Sequence, residues 1–112
     1  KLEWAVCPPF SKQGCLPSFH LYPLRIKDIN EAKRDAIIEN IIKKDIAVNV
    51  HFTPLPMLSV FKNAGYRMED YPQAYLQYSS EISLPVYPQL TDEMCAAVCD
   101  AVIESVEKIL NF

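Results

Sequence analysis

Apolar and polar residues change rhythm along this chain, and each change marks an element. In FHLYPLRI, Leu21, Leu24 and Ile26 are interleaved with large or polar residues. That alternation predicts a strand over about 19–26, with Pro23 placing it at an edge or a bulge. KDINEAKRDAIIENIIKKD follows, where Ala32, Ala36, Ile37, Ile41 and Ile42 give the one-sided stripe of a surface helix. Asp28 or Asn30 can cap it, Glu31 falls in its first turn, and Lys43 and Lys44 fall in its last, matching the helix dipole. Ile46–Val50 is rich in β-branched residues and predicts a second strand. MLSVFKNA suits a short helix stopped by Gly65, and YPQAYLQYSS suits another with Pro72 in its first turn. A third strand is expected at Ile82–Leu84, interrupted by Pro85. The last helix has the clearest pattern. Thr91 caps it, Asp92 and Glu93 follow, and Met94, Val98, Val102, Val106, Ile109 and Leu110 make a continuous stripe. Three short strands packed by helices make an α+β fold in two layers.

Residues 1–18 show no sustained periodicity, with prolines at 8, 9 and 17 and a glycine at 14. They read as an irregular lead-in to a domain over 19–112. The chain has 112 residues, half of them hydrophobic and 22% charged, enough to build one core. A net charge of −3, with the adjacent basic pairs Lys33/Arg34 and Lys43/Lys44 set among acidic residues, gives no footprint for nucleic acid. No apolar run reaches the roughly 18 residues of a membrane span. KLEWAVCPPF lacks the basic and apolar regions of a signal peptide. Cys7, Cys15, Cys95 and Cys99 match no common zinc spacing, and Cys95 and Cys99 are expected to act as small buried hydrophobes on one helical face. A reduced, cytoplasmic protein is the expectation.

Candidate chemistry is sparse. Gly14 and Gly65 are isolated, so no glycine-rich phosphate loop is present, and neither GxSxG nor HExxH occurs. The lysines have acidic or polar neighbours in sequence, as solvated positions do. The stretch VNVHFTPLPMLSV stands out. It delivers His51 and Phe52 into a loop stiffened by Pro54 and Pro56, which push Thr53 and Leu55 toward extended geometry. Such a histidine can serve a ligand, or it can be satisfied by backbone at a strand end. Alternation puts His20 and Tyr22 on one face of the first strand and Arg25 on the other, where Arg25 can pair with an acidic residue such as Glu81 or with a carboxylate at a domain interface. Tyr66, Tyr71, Tyr75 and Tyr78 read as packing residues and Ser83–Pro85 as an architectural turn. These residues complete no catalytic constellation by themselves.

Four blocks in order carry a resemblance: HLYPLRI, the VHF-x-PLP loop, the GY…YP-x-A segment and SLPVYP-x-LT. From about His20 to Ile109 the chain resembles the C-terminal part of the DegT/DnrJ/EryC1/StrS family, pyridoxal-phosphate-dependent aminotransferases acting on nucleotide-linked keto-sugars. The resemblance implies fold-type I dimers. A large α/β domain then holds the Schiff-base lysine, the aspartate on the pyridine nitrogen and most phosphate contacts, while a small α+β C-terminal domain closes one side of the site. Those large-domain motifs are not among these residues, so the chain is expected to be the small domain, with 1–18 leading in from a missing large domain. Pyridoxal 5'-phosphate would then belong to the full-length enzyme and not to this segment alone. The resemblance places His51, with Phe52, His20 and Tyr22, as substrate-side contacts to a nucleotide sugar, and no catalytic residue among them. Many members read HY-x-PLH at the loop; Phe52 and Pro56 here make it HF-x-PLP, similar to a subgroup in bacterial surface-polysaccharide pathways, and remove one polar contact. The alternative is an autonomous α+β ligand-binding or interaction module. A small domain separated from its large one should bare an apolar patch beside residues 1–18, and an autonomous module should not.

Overall fold

A three-stranded antiparallel sheet organises the chain, and its middle strand comes from the YPLRI run. The computed structural model describes residues 2–111. Strand β1 is Ala5–Val6, β2 is Tyr22–Ile26 and β3 is Glu81–Leu84, ordered β1-β2-β3. Ala5 and Val6 lie opposite Ile26 and Arg25, while Tyr22, Pro23, Leu24 and Arg25 face Leu84, Ser83, Ile82 and Glu81. Helices α1 (Glu31–Ile42), α2 (Ser59–Asn63), α3 (Pro72–Ser80) and α4 (Asp92–Leu110) complete the set, with 3-10 turns at Leu55–Met57 and Met68–Asp70.

Local chemistry starts and stops the helices. The Asn30 side chain accepts from the Lys33 amide at 3.0 Å, and the Thr91 hydroxyl from the Met94 amide at 3.2 Å, each satisfying an otherwise orphaned donor. Pro72 opens α3 where no intrahelical N–H is needed. Gly65, at φ +92°, takes the left-handed conformation beyond α2.

Leu24, Ile26 and Ile82 fill one face of the sheet. Ile37 and Ile41 of α1 and Val98, Val102 and Val106 of α4 pack onto that face, and Trp4 joins them. Alternation sends Arg25, Glu81 and Ser83 to the opposite face.

Several expectations need correction. β2 is the central strand and not an edge. Pro23 is tolerated because β1 reaches only Arg25 and Ile26, so one side of β2 has no neighbour at Pro23 and no ladder bond is lost there. The strand expected at Ile46–Val50 shrinks to one bridge, Asn49 opposite Ser83. The Asn49 side chain takes the Val50 amide at 2.8 Å, and this local bond competes with further pairing. The expected irregular segment 1–18 supplies β1 and the buried Trp4, whose carbonyl accepts from the Lys27 amide at 2.9 Å. On α1 the buried positions are Arg34, Ile37 and Ile41, while Ala32 and Ile42 are exposed. The buried Arg34 guanidinium is satisfied there: Asp35 Oδ1 lies 2.6 Å from its Nε and the Tyr78 carbonyl 2.6 Å from its Nη1, with the Tyr78 ring centroid 4.7 Å away. Cys95 and Cys99 are exposed rather than buried, because they lie beside the Val98–Val102–Val106 face that meets the core and not on it.

Candidate functional site

His51 leaves the bridge at Asn49 and enters the proline-stiffened loop directly over the polar face of β3. Its backbone N–H donates to Glu81 Oε2 at 2.9 Å, and its Nδ1 lies 2.8 Å from Ser83 Oγ. Ser83 Oγ in turn donates to Glu81 Oε1. Glu81 and Ser83 are buried, while the His51 ring is exposed. A buried carboxylate is costly unless its oxygens are hydrogen-bonded, and here the loop amide and the serine hydroxyl each serve one oxygen. The network is therefore a mount: a strand face holds His51 by its backbone amide and by Nδ1 of its ring, and leaves the ring at the surface. Phe52 follows, 71% exposed, so it is not a core aromatic.

The ion pair expected between Arg25 and Glu81 is not among the described ones. The two residues lie opposite each other across the strands, yet the Glu81 oxygens are engaged by His51 and Ser83. Ser83, expected to be purely architectural, carries the side chain that meets His51. The signal for it was the i, i+2 pair Glu81/Ser83, which a β period puts on one face.

His20 and Tyr22 occupy a different place. Phe19 has a positive φ of 54° and β2 starts only at Tyr22, so His20 lies in the bend before the strand. Its Nδ1 is 2.5 Å from Ser18 Oγ. His20 and Tyr22 both line an open apolar groove of about 800 Å³, together with Pro8, Phe10, Leu16, Phe19 and Val86. A hydrogen bond to Cys7, then partial burial, pushes the Tyr22 hydroxyl up to about 12. A second hollow of about 420 Å³ lies between Pro54, Pro56, Phe61, Tyr66 and Tyr71. Neither lining includes His51 or Phe52, so the four predicted residues form two groups, one on the β3 mount and one in the groove.

Scanning the chain against known families matches residues 5–103 to the DegT/DnrJ/EryC1/StrS aminotransferase family. The chain belongs to that family. Among DegT/DnrJ/EryC1/StrS relatives and similar proteins, MJ1066 of Methanocaldococcus jannaschii, a protein without a described function, is 39% identical over 103 residues. The spore coat polysaccharide biosynthesis protein SpsC of Bacillus subtilis is 30% identical over 106 residues. These alignments cover 90% and 92% of this chain but 26% of each relative. Spr1654 of Streptococcus pneumoniae, described as a sugar aminotransferase, superposes in its apo form with a TM-score of 0.93 at 33% identity, over 96% of this chain and 27% of that one. Its pyridoxal-phosphate form superposes at 0.91. The chain thus spans about a quarter of the length of the proteins it matches.

Membership in the DegT/DnrJ/EryC1/StrS family implies pyridoxal phosphate in the full-length protein. A Schiff-base lysine needs a desolvated or cationic setting that lowers its pKa. Every described lysine is exposed; Lys44 pairs with Glu104, and Lys108 donates to Asn40. The described residues do not fit the cofactor by themselves.

Proposed function

We propose that this chain is the small C-terminal domain of a pyridoxal-phosphate-dependent aminotransferase, with residues 1–18 leading in from the large domain. The whole enzyme transfers an amino group, from a donor such as glutamate, to a nucleotide-linked keto-sugar in the making of a bacterial surface polysaccharide. The cofactor supplies the carbanion chemistry. The large domain supplies the lysine, and the working enzyme is a cytoplasmic homodimer. In this chain His51 and Phe52 contact the substrate from the β3 mount, and His20 and Tyr22 contact it from the groove.

One observation carries this reading over an autonomous module. Phe10 and Leu16 are 76% and 69% exposed, and they share the groove with Phe19, Leu21, Tyr22 and Val86, all exposed. This patch lies beside residues 1–18, where a large domain would cover it. Isolated soluble domains rarely leave so continuous an apolar face bare.

The test uses the longer protein that carries this chain, loaded with pyridoxal phosphate. Glutamate should convert the cofactor's absorbance, and adding a nucleotide keto-sugar should return it. His51→Ala should leave the glutamate half-reaction intact and raise KM for the sugar about tenfold, the loss of one ligand hydrogen bond. Borohydride reduction should fix the cofactor to a lysine outside these 112 residues; a reduced adduct on a lysine within them would overturn the assignment.

A further inference from the structure

The mount under His51 does more than hold a ring. We propose that Glu81 and Ser83 decide which nitrogen of His51 carries the proton, so that Nε2 meets the substrate as a hydrogen-bond acceptor for a hydroxyl group. This rests on the reading of His51 as a substrate contact.

A carboxylate only accepts, and a serine hydroxyl has one hydrogen to give. Glu81 accepts that hydrogen at Oε1 and the His51 amide hydrogen at Oε2. With its hydrogen committed, Ser83 Oγ can only accept from Nδ1, 2.8 Å away. Nδ1 must therefore carry a hydrogen. In the neutral ring this leaves the lone pair on Nε2, the reverse of the tautomer a free imidazole side chain ordinarily favours. Nε2 has no partner among the described residues.

His20 is the internal contrast. Its Nδ1 also meets a serine hydroxyl, Ser18, at 2.5 Å, but no carboxylate is described on that serine. Ser18 is free to donate, and His20 keeps its hydrogen on Nε2. One serine–histidine pair has a carboxylate behind it and the other does not, and this difference reverses the proton's place.

The consequence is selectivity. An Nε2 lone pair accepts from a sugar hydroxyl and repels a carbonyl, ether or deprotonated oxygen in the same place. A deoxy or O-methyl sugar at that carbon forfeits the contact.

The experiment is a long-range proton–nitrogen correlation spectrum of the ¹⁵N-labelled chain, recorded above the pH at which both imidazoles are neutral. His51 should show a protonated Nδ1 and a bare Nε2, and His20 the reverse. Glu81→Gln presents an amide that donates to Ser83 Oγ, turning the serine hydrogen toward Nδ1, so the His51 pattern should invert. Ser83→Ala should return His51 to the ordinary tautomer and Ser83→Thr should restore the locked one, and this pair decides the matter if loss of Glu81 prevents folding. The indole signal of Trp4 reports that the core is intact in each variant. A wild-type His51 protonated on Nε2, or a folded Ser83→Ala variant with an unchanged pattern, would overturn the proposal. In the longer enzyme, Ser83→Ala should raise KM for the keto-sugar about tenfold and Ser83→Thr should restore it, with the glutamate half-reaction unchanged. A locked tautomer with an unmoved KM would overturn the hydroxyl contact and, with it, the substrate role of His51. An unmoved tautomer with a raised KM would overturn the relay alone.

Discussion

The two ends of α4 carry the same kind of side chain and meet opposite fates. Toward its carboxyl end, Val98, Val102 and Val106 are buried against Ile37, Ile41 and the sheet. One turn earlier, at the amino end, Met94 is 47% exposed. An apolar stripe records that a face is to be covered, but it does not record what covers it. Here the stripe from Val98 onward is covered by this chain, and its first residue, Met94, is left exposed.

Substitutions at Val106 and Met94 should separate the covered stretch from the exposed one. Val106→Ala removes buried methyl groups and should cost about 2 kcal/mol, read as a lower urea midpoint with an unchanged slope. Met94→Ala, at the other end of the same stripe, should stay within about 0.5 kcal/mol of the parent. Equal losses from the two would mean that the chain itself covers Met94 as well. Thr91→Ala tests whether that end is held at all. Removing the cap on the Met94 amide should cost about 1 kcal/mol and fray the first turn, seen as faster amide exchange there.

The smallest effect is alkaline. Tyr78 donates to Glu31 Oε1 at 2.6 Å, and that bond, then burial, raises its pKa above the ordinary 10.0. The contribution is complete below the unfolded value and is lost as pH rises through the folded one. Thermal midpoints should therefore begin to fall above about pH 10, with Tyr22 adding its share up to about pH 12. Tyr78→Phe should flatten the early part of that decline. An unchanged slope would remove the Tyr78–Glu31 bond from the account.

What was legible in the sequence was mostly local. Asn30, Thr91, Gly65 and Pro72 act within one turn of themselves, and each does in the structure what its neighbours in sequence imply. Val98, Val102 and Val106 were readable because a long helix repeats its message. β1 was not readable: two residues have no period, and Ala5–Val6 becomes a strand only because Ile26 and Arg25 lie alongside. Ile46–Val50 erred in the other direction. Its composition suits a strand, but Asn49 spends its side chain on the next amide. Arg34 was hidden because a charge on an apolar stripe looks like an interruption until the Tyr78 carbonyl, forty-four residues away, is seen to receive it. The site divided likewise. His51 stood out by its proline-stiffened loop, whereas its connection to Ser83 and Glu81 depends on a bridge that only the folded chain makes.

Trp4 gives the fold a natural lamp. It is the one tryptophan in the chain, buried where the first residues meet β2 and α4. Any light the indole emits therefore comes from the seam that fastens the leading segment to the rest. Red-shifted emission would say that this seam has opened, even while the helices still give their full circular dichroism.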